Sequence, residues 1–325
     1  MVNKKIFAVM FCATMIFTGV QTSQGIHIVN QKIHSIIGFD QSATSSETEY
    51  WGLLIAVGRY LNHPDEDRPS MLDSVEGLYS TLLESDNWDS NHIKKIKAED
   101  ATLKNMRNGL NWLVKNEGEN DISLVYITTH GYSMDYDLPP IDEKDGRDEA
   151  LVPYEGFDQI YNFLSDDELN FYLSLLESKG VCVIIDSCHS GGFNDNKKSN
   201  ARYVYENENS ARSFIDGFIG ELGSFNRVVL MSCEEDELSF GSSFSKLLIK
   251  GLNGHADENQ DGVYTAEEIF YYAKEILDSY DRQHPTILDL YPGELPLTGL
   301  INEYNPNHIE KNLFFSFFLK VLKTR

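Results

Sequence analysis

Cysteine is scarce: positions 12, 182, 188 and 233 are the only four in 325 residues. Cys12 falls inside an apolar N-terminal run and is given no role. The three that remain do not make a disulfide framework. Cys182 opens a strand-like run and Cys233 follows the end of the next one. Parallel neighbours rising about 3.3 Å per residue would hold these two thiols beyond disulfide reach. Both are expected to be free, Cys182 as plain core. Basic charge is also sparse, with 27 Lys and Arg against 51 Asp and Glu and a net charge of -24. Nucleic acid and anionic membrane faces both require a basic patch, so neither suits this chain as a partner. A cation ligand or a solubilised exported protein suits it better. Beyond the N-terminus there is no apolar run of the ~20 residues needed to cross a bilayer. No internal repeat is visible either.

What the chain does have is ample core material, at 41% hydrophobic and 12% aromatic residues. Residues 1–25 read as a secretory signal peptide, with Lys4 and Lys5 ahead of an apolar run from Ile6 to Val20 and small residues at Ser23-Gln24-Gly25. An extracytoplasmic protein is the corresponding expectation. Residues 26–49 form a polar leader or short prosegment. Tyr50 to Gly58 is a first buried strand, followed by helical spacing over Met71–Leu83, a short strand over Ile93–Ile96 and a helix from Thr102 to Lys115. Thr102 is placed to cap that helix, and Ser165-Asp166-Asp167-Glu168 is a capping box opening a helix to Ser178.

The chain is organised around Gly180-Val181-Cys182-Val183-Ile184-Ile185-Asp186-Ser187-Cys188-His189-Ser190-Gly191-Gly192. Its apolar, β-branched run reads as a buried strand of a parallel sheet, stopping at Asp186. Ile122 to Thr129 reads the same way and stops at His130-Gly131. In open α/β sheets ligands sit beyond the carboxyl ends of the strands. The two runs therefore bring a thiol, Cys188, and an imidazole, His130, to the edge where chemistry is expected. A nucleophile with an adjacent base is the requirement for cysteine acyl transfer.

These residues resemble the caspase-like cysteine peptidases, most closely the metacaspase branch, which carry a His-Gly after one strand and Asp-Ser/Ala-Cys-His-Ser-Gly after the next. Here both are present in order, 58 residues apart. The resemblance covers roughly residues 50 to 280. It implies an α/β fold, a caspase-like three-layer α/β/α sandwich with a mostly parallel central sheet. The peptidase domain would span 50–290, with a large part to about 193, a linker over 194–225 and a small part over 226–290. It further implies a Cys188–His130 dyad, with the amides of Gly131 and Cys188 stabilising the oxyanion and His189 structural. Asp186 would pair with the Arg or Lys of a protein or peptide substrate. Asp236, in Cys233-Glu234-Glu235-Asp236, matches the Asp that lines the specificity pocket, although the usual Gln and Thr after it are missing. The linker, carrying Lys197, Lys198, Arg202 and Arg212, lies where family members cut themselves. Asp148-Glu149-Ala150-Leu151-Val152-Pro153-Tyr154 is similar to the flap that follows the catalytic His. The carboxylates of Asp142, Asp145, Asp148 and Glu149 either gather calcium or form a solvated acidic loop.

Between the helical stretches Ser243–Leu252 and Ile269–Tyr280 lies an EF-hand-like loop, 257–268. It sets oxygen ligands at Asp257, Asn259, Asp261, Thr265 and Glu268, with a backbone ligand at Val263 and the turn glycine at Gly262. Calcium is the only cofactor this points to. The apolar tail from Leu313 to Leu322 is too short to span a bilayer; docking, membrane association and sorting all stay open for it. Two other function classes compete. A catalytically silent calcium-binding or interaction protein is disfavoured by the intact dyad. A legumain-like asparagine-specific peptidase or transpeptidase is disfavoured by Asp186 and by Cys-His-Ser-Gly.

Overall fold

The computed structural model describes residues 48–134, 148–158, 162–189, 226–232, 242–279 and 284–299. The expectations for the signal peptide, most of the leader, Asp142, Asp145, the linker, Cys233 to Asp236 and the apolar tail lie outside them.

The chain alternates β1 (Tyr50–Ala56), α1 (Pro69–Leu83), β2 (Trp88–Lys97), α2 (Leu103–Asn116) and β3 (Ile122–Ser133). It continues through β4 (Glu149–Leu151), β5 (Leu164–Ser165), α3 (Asp166–Ser174), β6 (Gly180–His189) and β7 (Arg227–Met231). Then come α4 (Ser243–Lys250), β8 (Val263–Thr265), α5 (Ala266–Asp278), β9 (Thr286–Asp289) and β10 (Pro296–Gly299). The main sheet has the order β2-β1-β3-β6-β7-β9, parallel except for β9, with β4 and β5 attached antiparallel beyond β3. Helices cover both faces, giving the expected three-layer α/β/α sandwich with a mostly parallel sheet.

Pleat alternation divides the core. Leu53, Ile55, Val125, Ile127, Val183 and Ile185 face α2 and α3, where Leu103, Met106, Leu110, Leu169 and Leu173 meet them. Leu54, Leu124, Tyr126, Cys182 and Ile184 face α1, α4 and α5, against Val75, Leu78, Phe244, Leu248, Ile269 and Phe270. Cys182 is a buried free thiol. Thr102 caps α2 by accepting from the Asn105 N–H at 3.3 Å. Gly109 lets that helix approach closely, since a Cβ there would lie 2.7 Å from Leu53 and Ile96 methyls.

Several boundaries differ from the sequence reading. β3 and β6 do not stop at Thr129 and Asp186; they run on to Ser133 and His189. The register pairs Thr128 with Asp186, His130 with Cys188 and Gly131 with His189. β2 begins at Trp88, because its polar first half is a sheet edge open to water. α3 ends at Ser174 and not Ser178, because the chain is then drawn onto Glu117. That carboxylate accepts from the Glu177 N–H at 3.0 Å and from the Ser178 hydroxyl at 2.6 Å. The folded unit also extends past 290: β10 pairs antiparallel with β8, and Leu295 and Leu297 are fully buried.

Burial raises the Glu117 carboxyl from 4.5 to about 7. A folded-state pKa above the unfolded one means the native state holds the extra proton. The resulting stabilisation is full below pH 4.5 and is lost as pH rises to about 7, on the order of 3 kcal/mol. Glu267, pushed up to about 7 mainly by burial, adds a loss of the same sign. Urea unfolding between pH 4 and 8 should show stability falling through this window, with a smaller slope in Glu117→Gln. An identical slope in that variant would refute the assignment.

Candidate active site

His130 sits on β3 beyond the point where β1 leaves it. The last β1 pairing is Ala56 with Thr128, and β4 takes over at Gly131 with Leu151. The side chain is buried, at 3% exposure for the residue. Its Nε2 lies 2.9 Å from the Glu66 carbonyl oxygen, on the loop after β1. A carbonyl only accepts, so Nε2 carries the hydrogen of the neutral ring. Nδ1 then bears the lone pair, and it is buried with no hydrogen-bond partner among the described residues. Burial pushes the imidazole pKa below its ordinary value, and the Arg68 cation adds to this, while the Glu66 carbonyl and carboxylate act against it. Burial thus favours the neutral ring, on the residue paired directly with Cys188 in the ladder. The Val152 N–H donates to the His130 carbonyl at 2.9 Å. This makes Gly131–Leu151 a pair without mutual hydrogen bonds and turns the Gly131 amide towards β6.

Asp186 is only 2% exposed. Its Oδ2 accepts a hydrogen bond from the Ser245 hydroxyl at the start of α4. Tyr126 Oη lies 2.8 Å from Ser245 Oγ, and since the serine hydrogen goes to Asp186, the tyrosine is the donor. A polarised chain from Tyr126 through Ser245 thus ends on the carboxylate. Burial raises the Asp186 pKa and the Ser245 bond opposes this. A carboxylate in that state gains from the arrival of a cation.

Compared with protein families, residues 51–289 match the Caspase domain. The chain belongs to the caspase domain family. Among its relatives, Metacaspase-3 of Arabidopsis thaliana is 30% identical over 182 residues, 52% of this chain and 48% of that protein. Metacaspase-1 of Scheffersomyces stipitis is 26% identical over 229 residues, 66% of this chain and 52% of that one. The chain thus spans about half the length of these curated relatives. A crystal structure of a Geobacter sulfurreducens protein superposes with a TM-score of 0.52 over 78% of this chain and 99% of that one, at 18% identity, and so shares the fold.

In this caspase domain the loop 257–268 is folded onto its own amides. Asp257 accepts from the Asp261 and Gly262 N–H groups at 3.1 and 3.2 Å, Asn259 from Asp261 at 2.9 Å, and Asp261 from Val263 at 2.8 Å. Glu268 completes a capping box with Thr265 at the start of α5. The donor types suit a hard cation, and Asp257 and Asn259 converge on one amide. Among the described residues, however, no three His, Cys, Asp or Glu gather closely enough to hold a metal. Asp148 and Glu149 are buried, so that end of the 142–149 segment is not a solvated loop. No helix among the described residues is long and apolar enough to cross a membrane.

Sequence reasoning missed Glu66, Ser245 and Tyr60. Glu66 acts through a backbone carbonyl and leaves no side-chain signal. Ser245 looked like an ordinary helix residue. Tyr60, just after the Gly58 turn, was readable as an aromatic at the catalytic edge of the sheet, but nothing tied it to His130.

Proposed function

We propose that this caspase-domain protein is an exported cysteine endopeptidase that cuts peptide bonds after Arg or Lys. The reading rests chiefly on His130, opposite Cys188 in the ladder, with its Nε2–H committed to Glu66 and its Nδ1 left as base. Nδ1 takes the thiol proton as Cys188 sulfur attacks the substrate carbonyl and the C–S bond forms. The carbonyl electron pair moves to oxygen; the family resemblance gives its stabilisation to the amides of Gly131 and Cys188, which would have to turn out of the β3–β6 ladder to reach it. Collapse breaks the C–N bond, and the proton on Nδ1 goes to the leaving amine. Water then attacks the thioester, His130 takes its proton, and the thiol is released with the carboxylic acid. Asp186 supplies the negative charge that selects a basic side chain, with Asp236 as its partner carboxylate.

Calcium is proposed as a stabilising ligand of loop 257–268, held by Asp257, Asn259, Asp261 and Glu268 with backbone and hydroxyl oxygens of Val263 and Thr265. To hold it these donors would have to turn from their own amides and draw together, since among the described residues no three acidic side chains gather that closely. Extracellular modules of this type bind at ~10⁻⁴–10⁻³ M. Self-cleavage after Lys197, Lys198, Arg202 or Arg212 follows from the same specificity, since a site in the same chain has a high effective concentration. Export is supported by the apolar run after Lys4 and Lys5, and membrane association through residues 313–322 stands beside docking and sorting as a role for the tail.

The test uses the purified full chain with and without millimolar calcium. Mass spectrometry should find two fragments meeting after one of the four basic residues, and none in Cys188→Ala. Fragments appearing equally in Cys188→Ala would end the self-processing proposal. Calorimetry without heat at millimolar calcium would end the calcium proposal.

A further inference from the structure

Where β1 leaves the sheet, β3 loses a neighbour before β4 arrives, and the amide exposed by that gap belongs to His130. Tyr60 fills the gap. The His130 N–H donates to Tyr60 Oη at 3.0 Å, and Tyr60 Oη lies 3.0 Å from Thr129 Oγ1. The Thr129 hydroxyl donates to the Val152 carbonyl. That carbonyl can only accept, so the Thr129 hydrogen is used there and the Tyr60 hydroxyl must donate to Thr129. The Val152 N–H in turn donates to the His130 carbonyl at 2.9 Å. The four residues therefore close a ring in which each hydrogen has one assignment.

Tyr60 also holds the imbedded imidazole itself. It is 4% exposed, its ring centroid is 4.9 Å from that of His130, and Phe157 packs on both rings at 4.6 and 5.8 Å. Its backbone N–H donates to Asp67 Oδ1 at 2.9 Å, which ties down the loop whose Glu66 carbonyl fixes Nε2. One residue thus restrains the histidine backbone, its ring plane and the acceptor that sets its tautomer.

We propose that Tyr60 is a positioning residue for His130, its hydroxyl standing in for the missing strand. This rests on the reading of His130 as the base for Cys188, so the experiment separates the two. The probe is iodoacetamide, whose alkylation of Cys188 is followed by peptide mass spectrometry against pH in the full chain. It needs no knowledge of the substrate. In the wild type the rate should titrate with His130, and His130→Ala should abolish that inflection. Tyr60→Phe keeps the ring and its packing but leaves the buried His130 N–H without an acceptor and Thr129 without a donor. Roughly tenfold to a hundredfold slower alkylation is expected, with the inflection displaced towards the ordinary histidine pKa as the imidazole loosens. Thr129→Val, which removes the next link, should displace it in the same direction by less. With a fluorogenic peptide, Tyr60→Phe should lower kcat and leave KM within about a factor of two. A folded Tyr60→Phe whose alkylation profile superimposes on the wild type would overturn the proposal. Unchanged alkylation in His130→Ala would instead bring down the underlying dyad, and the proposal with it.

Discussion

Cys188→Ala is expected to abolish peptide hydrolysis, and His130→Ala to lower kcat/KM by roughly 10²–10⁴. The cysteine variant should unfold with unchanged cooperativity, because a small side chain is removed from a strand whose ladder partners stay in place. The histidine variant also leaves the Glu66 carbonyl without its donor, so a stability loss of about 1–3 kcal/mol accompanies it. The pH dependence gives a sharper check. Activity needs the neutral imidazole, and protonation removes it as pH falls through the His130 pKa. Burial lowers that pKa from its ordinary value, so the acid limb of kcat/KM should lie on the acid side of an ordinary histidine titration. An acid limb above pH 7, or near wild-type turnover in His130→Ala, would rule out this role.

The buried strands were legible because their residues are apolar on both faces: Leu53 through Ile55 and Val183 through Ile185 meet a helix layer on each side. The ends of those strands were not. His130-Gly131-Tyr132-Ser133 is polar and reads as a loop, yet it stays in the sheet because β4 and β6 both pair with it. That His130 and Cys188 come to one sheet edge was expected from an imidazole and a thiol motif, and their ladder register was invisible. Tyr60 is a different case, since its role exists only because β1 and β4 leave a gap on β3. β10 was hidden for a third reason. Pro296-Leu297-Thr298-Gly299 has no strand pattern of its own, and it is held by β8 and by the Trp88 indole, which donates to the Leu297 carbonyl at 2.8 Å.

The second large effect is expected at Asp186. In Asp186→Asn the amide oxygen can still accept from Ser245, so the chain from Tyr126 is kept and only the charge is lost. For a substrate whose Arg pairs with that carboxylate, removing one member of a buried pair corresponds to about 3–5 kcal/mol, or roughly 10²–10⁴-fold in kcat/KM. Peptides differing only in the residue before the cleaved bond should show the loss for Arg and Lys and little change for Asn. The opposing consideration is that Asp186 is buried and already accepts from Ser245 at the start of α4, so a cation must enter a closed site to meet it. Arg68, the cation felt by His130, offers a competing attraction for an acidic side chain. Its guanidinium is already held by the carbonyls of Asp65 and Asp67, at 3.2 and 2.9 Å, and lies 3.7 Å from the Glu66 carboxylate. On the proposed reading Asp186 is the stronger determinant, because an arriving cation relieves the cost of ionising its buried carboxyl. The two can be separated directly. If Asp186→Asn keeps the wild-type preference for Arg over Asn, or if Asp peptides are turned over best and Arg68→Gln abolishes their cleavage, Asp186 is not the specificity residue and the basic-substrate reading fails.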